Sequence, residues 1–403
     1  MKLMVYSHDA FGLGNIRRMV AICDYLLKAI PSISILVVSG SPALHQLCLP
    51  PGLDYIKLPC LGRDDQGNMS VRFLRTELQD TLTLRGELIR TAAVNFQPDV
   101  LLVDKKPNGL WGELQSTLDY LKWQLPKTRL VLLLRDILDH PDATTAQWQS
   151  EDYYTLTTAW YDQVWIVGTP DIFDAPRAYQ FPSELSAKTR FMGYIRRGSG
   201  RQHPTEVRRS LNLAADDKFV LVTPGGGGDG YRLVDTYLSA ISSASIDTPV
   251  VSLIVSGPEM AAPQKQDLLH RIHQRSDLHW LEFTDDLASY MTAADVVVSM
   301  GGYNTVGEIL TLQRRALVVP RVHPVEEQWI RAQRMAELGL FTAIHPDQLT
   351  SNLFAQALQK ELQTPAATTS TYSLDLNALP RITETLLSLM QGANPTVKSE
   401  LVA

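Results

Sequence analysis

The sequence predicts an α/β protein made of two doubly wound parallel-sheet domains facing each other across a cleft, and three observations carry that expectation. Short apolar runs alternate with helical patterns along nearly the whole chain, which is the rhythm of repeated βαβ units. The pattern lapses once in mid-chain, at Gly193-Tyr194-Ile195-Arg196-Arg197-Gly198-Ser199-Gly200, and then starts afresh. Two glycine-rich turns in the second series each join an apolar run to a helical pattern.

In the first series the strand candidates are residues 3–6, 33–38, 100–103, 130–134 and 163–167, with helical patterns between them. Their near-continuous Val, Leu and Ile content is that of strands covered on both faces. The glycine and charge of 193–200 mark the hinge. The second series has candidates at 219–222, 250–255, 279–282, 296–299 and 316–319. A Thr-rich segment, 364–371, reads as a loop before a last helix from 379 to about 389. The predicted domains are therefore 1–195 and 196–378, followed by a helix and tail, 379–403, expected to pack back on the first domain.

A length of 403 residues suits two or three domains, and 45% hydrophobic with 20% charged residues is ordinary globular material. The formal net charge of −6 argues against general attraction to nucleic acid or anionic lipid, so a small ligand is the expected partner, with at most peripheral membrane contact. Cys23, Cys48 and Cys60 are odd in number and form no Cys-x-x-Cys pair, so neither a disulfide framework nor a zinc site is expected. The amino terminus runs straight into a strand without a basic leader, and no run approaches the roughly 18 apolar residues of a spanning helix. The expected location is cytoplasmic.

The most informative stretch is Val297-Val298-Ser299-Met300-Gly301-Gly302-Tyr303-Asn304-Thr305-Val306-Gly307-Glu308. It reads as a buried strand, a glycine turn and a helix start, where backbone N–H groups and the helix dipole face an anion. Thr305 adds a hydroxyl donor, and Glu308, three residues on, shares its helical face and suits a vicinal diol. Diphosphate next to ribose describes a nucleotide. The second turn, Thr223-Pro224-Gly225-Gly226-Gly227-Gly228-Asp229-Gly230, suits a loop whose amides surround a ligand; its plainer reading is a flexible turn. Neither turn ends in Gly-Lys-Ser or Gly-Lys-Thr, which disfavours ATP phosphoryl transfer. Gly12-Leu13-Gly14-Asn15-Ile16-Arg17 starts like a dinucleotide fingerprint, but Arg17 stands where the third glycine is needed.

These residues resemble the GT-B glycosyltransferases, especially the branch of MurG-type N-acetylglucosaminyltransferases with two Rossmann-like domains. The resemblance spans nearly the whole chain and is most specific over 281–339. There, Phe283-Thr284-Asp285-Asp286-Leu287, Ala294-Asp295, Gly301 to Glu308, Pro320-Arg321, Glu326-Glu327-Gln328 and Arg331-Ala332 occur in the family's order. The resemblance implies that Gly227, Gly228 and Asp229, with Ser256 and Gly257, face the donor's phosphates and base. It implies a base pocket from Phe283, Thr284, Asp285 and Leu287, a diphosphate turn from Gly301, Gly302, Tyr303, Asn304 and Thr305, and ribose binding by Glu308. Glu327 and Gln328 would hold the sugar's hydroxyls, although acidic residues in a first helical turn also serve as caps.

Such a site breaks a bond between an anomeric carbon and a diphosphate through a transition state of oxocarbenium character. Helix-start amides stabilise the departing charge without a metal. No Asp-x-Asp motif is present. The expected activity is metal-independent, cofactor-free transfer from a nucleotide sugar, UDP-linked and with inversion, to an unknown glycan, lipid-linked or small-molecule hydroxyl. The base expected in the amino-terminal loop is His8; the alternatives are Asp9 itself, a His8 oriented by Asp9, or catalysis without a protein base, and the plainer reading is that both residues cap the helix or stabilise the loop. Relatives carry histidine where Asn15 stands here, and asparagine is no base. Gly12, Gly14, Asn15, Arg17, Arg18 and Asp136 are the expected acceptor-side residues, with a solvated helix face as the plainer reading of the arginines and a structural ion pair with Arg135 as that of Asp136. Two rival readings stay open: a non-hydrolysing UDP-sugar 2-epimerase, and a degenerate transferase that only binds a nucleotide sugar.

Overall fold

A computed structural model describes residues 1–8, 14–41, 50–63, 68–214, 216–242, 248–364 and 372–391. The chain divides into two units, Met1–Tyr194 with Asn377–Ala403, and Ile195–Leu376. In the first unit the strands are β1 (Lys2–Ser7), β2 (Ser34–Ser39), β3 (Leu53–Lys57), β4 (Leu61–Arg63), β5 (Met69–Val71), β6 (Val100–Asp104), β7 (Arg129–Arg135), β8 (Gln163–Val167) and β9 (Thr189–Phe191). In the second they are β10 (Lys218–Thr223), β11 (Val250–Val255), β12 (Leu278–Leu281), β13 (Val296–Ser299), β14 (Arg315–Val318) and β15 (Thr342–Ala343).

Among the described residues these strands form a seven-stranded sheet, β3-β2-β1-β6-β7-β8-β9, a six-stranded sheet, β12-β11-β10-β13-β14-β15, and the separate hairpin β4-β5. Pairing in both large sheets is parallel throughout. The predicted two-domain α/β architecture is therefore present. All five residues of β6 and of β8, and all four of β13, are buried, as strands with helices on both faces must be. Five strands are not anticipated from sequence: β3 lies at a sheet edge with a mixed Leu-Asp-Tyr-Ile-Lys pattern, and β4, β5, β9 and β15 have three residues or fewer. Strand β4, equally short, pairs antiparallel with β5 inside the 59–75 stretch whose sequence carries no recognisable chemistry.

One core lies on the first sheet, around Tyr6, Leu101, Leu132, Trp148 and Ile166, and another on the second, around Val222, Tyr237, Val298 and Phe354. Trp148 is a core residue stacked on Phe181 with ring centroids 5.0 Å apart. Trp111 is exposed. The last helix, Ala378–Gln391, belongs to the first unit, where it packs against the helix Gly14–Ala29. Among the described residues no helix is long and apolar enough to cross a membrane.

Both sheets reverse their strand order beside their first strand, between β1 and β6 and between β10 and β13. At such a point the loops beyond the carboxyl ends diverge to opposite faces, and a ligand crevice results. Beside this point in the first unit, the Arg85 guanidinium grips Glu113 with Nε at 2.5 Å and Nη2 at 2.7 Å, and also donates to the Pro59 carbonyl at 2.6 Å. The Tyr6 hydroxyl donates to the same carboxylate at 2.5 Å and accepts from the Leu110 N–H. All three side chains are buried. Burial, and the negative charge of Glu113, push the Tyr6 phenol well above its ordinary pKa.

Removing one member of a buried pair strands the other charge, at a cost of about 3–5 kcal/mol. Arg85→Met is expected to lower the urea midpoint by that amount of stability, and a loss under about 1 kcal/mol would place the pair in the range of screened surface bridges.

Candidate functional site

The second unit's crevice is built from backbone. Strand β13 ends at Ser299, whose buried hydroxyl accepts from the Gly301 N–H at 3.2 Å. Gly301 has φ +67°, and a Cβ there would stand 2.6 Å from Val318 Cγ1, so a side chain is excluded twice over. Gly302 is different, because nothing lies within 4 Å of the position its Cβ would take. It is the N-cap of the helix Tyr303–Thr311, which has no side-chain cap and no acidic residue in its first turn. The first-turn N–H groups have no acceptor inside the helix, and the positive end of its dipole points the same way. Such a helix start suits an anion. Thr305 and Glu308 are both partly buried on that helix.

Across the switch point, the loop after β10 packs backbone to backbone on the loop after β11. A Cβ on Gly227 would lie 2.2 Å from the Ser256 carbonyl oxygen, and one on Gly257 would lie 2.3 Å from that of Gly226. Both glycines have positive φ, +93° and +84°. The Glu259 N–H donates to Gly226 at 2.9 Å and binds the two loops further. Gly225 opens on empty space, whereas the Glu259 carboxylate lies near Gly226 and Gly228. Ser256 needs correcting: it is fully buried and donates to the Gly257 carbonyl, so it shapes the loop and is not presented to a donor. Asp229 reaches Arg321 at 3.5 Å and ties this loop to the one after β14.

Several further side chains cluster at the Gly302 turn. The Arg197 guanidinium donates to Asn304 Oδ1, and its backbone N–H donates to Thr311 at 3.1 Å, so a cation sits at the helix start. Gly307 allows this close approach, since a Cβ there would stand 3.3 Å from the Ile195 carbonyl. Glu327 and Gln328 are buried rather than displayed. Arg331 donates to Glu327 Oε2 at 3.3 Å, and Gln328 Oε1 accepts from the Arg321 N–H at 3.0 Å. Their plainer reading holds for Glu327, which is the acidic residue in the first turn of the helix Glu327–Glu337, while Glu326 at the N-cap makes no side-chain cap bond. In the expected base pocket Phe283 is half exposed, while Asp285 is exposed and pairs with Arg201 at 2.7 Å. The loop is fixed by its neighbour Asp286, whose buried carboxylate accepts from the Arg201 N–H and from Ser289 at 2.6 Å. Thr284 accepts from the Asp286 N–H, and Leu287 opens the following helix, Leu287–Ala293.

The first unit places fewer of its expected residues. Asp9 and Gly12 lie outside the described residues, and Gly14 is described only as the first residue of its helix. Asn15 and Arg17 are partly buried on that helix. Arg18 is corrected on both of its readings: it is 1% exposed and bridges the fully buried Asp104 at 2.6 Å, so it is neither on a solvated face nor offered to an acceptor. Asp136 is also withdrawn, because its buried carboxylate accepts from the Tyr194 hydroxyl at 2.7 Å and its own Cβ lies against Gly168, where an added Cβ would come within 2.5 Å of it. His8 remains at the switch point. Its Nδ1 lies 3.1 Å from the Asp104 carbonyl oxygen, which can only accept, so Nδ1 carries the proton and Nε2 keeps a lone pair. Burial pulls its pKa down from 6.5 to about 4, against the opposing pull of Asp104, so the ring is neutral at pH 7.

Two parallel-sheet domains, each with its loops at a switch point and one with an uncapped anion turn, define a GT-B type protein. In agreement, the fold matches the crystal structure of Acinetobacter baumannii MurG (TM-score 0.59, 13% identity, 97% of this chain and 99% of that one). It equally matches a putative UDP-N-acetylglucosamine 2-epimerase from Listeria monocytogenes (TM-score 0.64, 14% identity, 98% and 97%). Residues 222–386 match the glycosyltransferase family 28 C-terminal domain. The uncharacterized glycosyltransferase MK0977 of Methanopyrus kandleri is 28% identical over 200 residues, 49% of this chain and about half, 53%, of that protein. The UDP-N-acetylglucosamine–N-acetylmuramyl-(pentapeptide) pyrophosphoryl-undecaprenol N-acetylglucosamine transferase of Natranaerobius thermophilus is 22% identical over 349 residues, covering 83% and 84%. The second half of the chain is thus similar to the family 28 glycosyltransferases, and MurG enzymes are among its relatives and fold neighbours.

The two kinds of glycine predict opposite phenotypes. Gly257→Ala should destabilise the second unit, because its Cβ would overlap a carbonyl. Gly302→Val should leave the melting temperature near that of the parent protein and abolish binding of a nucleoside diphosphate, because its side chain would enter space that only a ligand fills. A Gly302→Val protein that is stable and binds normally would remove the turn from the site.

Proposed function

We propose that the protein transfers a sugar from a UDP-linked donor to an acceptor hydroxyl, with inversion and without a metal or further cofactor. The observation that carries this reading is the open, uncapped start of the helix Tyr303–Thr311, with Glu308 one turn along. In the reaction the acceptor oxygen bonds to the anomeric carbon as the bond from that carbon to the diphosphate oxygen breaks, with its electron pair leaving on UDP. The Gly302 turn and the Arg197 guanidinium supply hydrogen-bond donors and positive charge where that pair arrives. The acceptor's proton is assigned to His8 Nε2. The donor sugar is taken from its relatives as N-acetylglucosamine-like, the acceptor stays at the level of a hydroxyl compound, and a cytoplasmic location follows from the use of a nucleotide sugar.

The epimerase reading has the fold likeness in its favour, but that likeness is common to both activities. Acceptor dependence separates them. An epimerase interconverts UDP-N-acetylglucosamine alone, a transferase releases UDP when acceptor is present, and a binding-only protein releases none with any acceptor.

Calorimetry should show UDP binding to the parent protein and at least about tenfold weaker binding by Glu308→Ala, the worth of a lost charged hydrogen bond. No UDP or UDP-sugar binding by the folded protein would falsify the donor assignment. The pH dependence follows from His8. A base held near pKa 4 is unprotonated through pH 6.5, so transfer should stay level across that range and fall only as pH approaches 4. An acid limb centred at 6.5 would instead mean an ordinary, solvated imidazole or another group.

A further inference from the structure

Arg321 has no part in the reading above, yet it reaches across the Gly302 turn. In the second sheet β13 lies between β10 and β14. Asp229 follows β10, Arg321 follows β14, and Arg321 Nη1 stands 3.5 Å from Asp229 Oδ2. The two outer strands are two strand spacings apart, about 10 Å, so this pair spans the carboxyl end of β13, where the chain turns through Gly301 and Gly302. The chain after β14 is held at that turn. The Val319 N–H donates to the Ser299 carbonyl at 2.9 Å, and the Arg321 N–H donates to Gln328 Oε1 at 3.0 Å.

The pair is one that can be given up. Its side chains are 33% and 46% exposed, and a single contact of 3.5 Å is long for a guanidinium that can grip a carboxylate through two short ones. Exposed pairs of this kind contribute little to stability. Arg321 Nε, moreover, is buried and meets no acceptor among the described residues, although an unmet buried donor is costly. A diphosphate in the Gly302 turn offers this fork more negative charge than one carboxylate, and oxygens that suit its paired donors.

We propose that Arg321 is a ligand of the donor's diphosphate, held over the turn by Asp229 and passed from that carboxylate to the phosphate oxygens when a donor binds. This deepens the donor assignment made above and rests on it. Asp229 is then the partner that Arg321 keeps until a donor arrives, rather than a group that binds the donor.

Calorimetry with UDP, and NMR titration with uridine, which has the base and ribose but no phosphate, separate this role from a structural one, with thermal melts as the check on folding. Arg321→Met should weaken UDP binding at least about tenfold, the fold-change of a lost charged hydrogen bond, and leave uridine binding as in the parent. Asp229→Asn releases the guanidinium and should strengthen UDP binding about two- to fivefold, the worth of one exposed ion pair, again without effect on uridine. Parent-like UDP affinity in a folded Arg321→Met protein, an equal loss for uridine, or an Asp229→Asn protein that binds UDP no better than the parent overturns the proposal. If Arg321→Met fails to fold, a crystal structure of the parent protein with UDP decides: a guanidinium on a phosphate oxygen supports the proposal, and an Arg321–Asp229 pair still closed overturns it. A parent protein that binds no UDP overturns the donor assignment instead.

Discussion

Parallel strands deliver every strand-to-helix loop to one edge of their sheet, and that constraint organises each unit. In the second unit it brings the Gly225–Gly228 loop, the Ser256–Gly257 loop and the Gly301–Gly302 turn together beside the reversal between β10 and β13. Loops so close need residues without side chains. Gly227 and Gly257 each occupy the space that the other's neighbouring carbonyl denies to a Cβ. Their spare room is used for packing, while that of Gly225 and Gly302 is left open. Two glycines of the same loop family thus do different work, and only the coordinates of their neighbours separate them.

Charge at this edge is arranged in layers. Main-chain donors face the open position, Arg197 stands beside them, and Arg331 lies beneath, out of reach of solvent. A buried guanidinium is costly unless its hydrogen-bond donors are met. Here they are met by the Gly301 carbonyl and the Glu327 carboxylate. The cost of burial is therefore offset by contacts that also hold the site in shape.

In the first unit a comparable economy appears in different groups. Asp104, at the carboxyl end of β6, orients His8 through its main-chain oxygen and neutralises Arg18 through its side chain. A desolvated His8 is always in its proton-accepting form near neutrality, although its low basicity limits the driving force for accepting that proton. The acceptor side keeps Arg17 and Asn15 as partly buried candidates on the helix Gly14–Ala29. Asp104 carried no sequence signal, being one more acidic residue after an apolar run.

What the sequence by itself determined is what local chemistry encodes. Apolar runs placed the principal strands, and the lapse at 193–200 lies where the chain passes from one unit to the other. The step from Ser299 through two glycines into a helix announced the turn and its uncapped helix start, since positive φ and a missing cap belong to neighbouring residues. Short or edge strands such as β3, β9 and β15 were not legible, because pairing rather than pattern makes them strands. The fate of polar side chains was decided by tertiary structure alone. Arg17 and Arg18 read alike in the chain, yet Arg18 faces a partner 86 residues away inside the core. Asp136 meets Tyr194 across 58 residues, and Arg331 meets Gly301 across 30. Whether such a group is displayed to a ligand or consumed by the fold depends on which partner the sheet brings beside it, and sequence neighbours carry no record of that encounter.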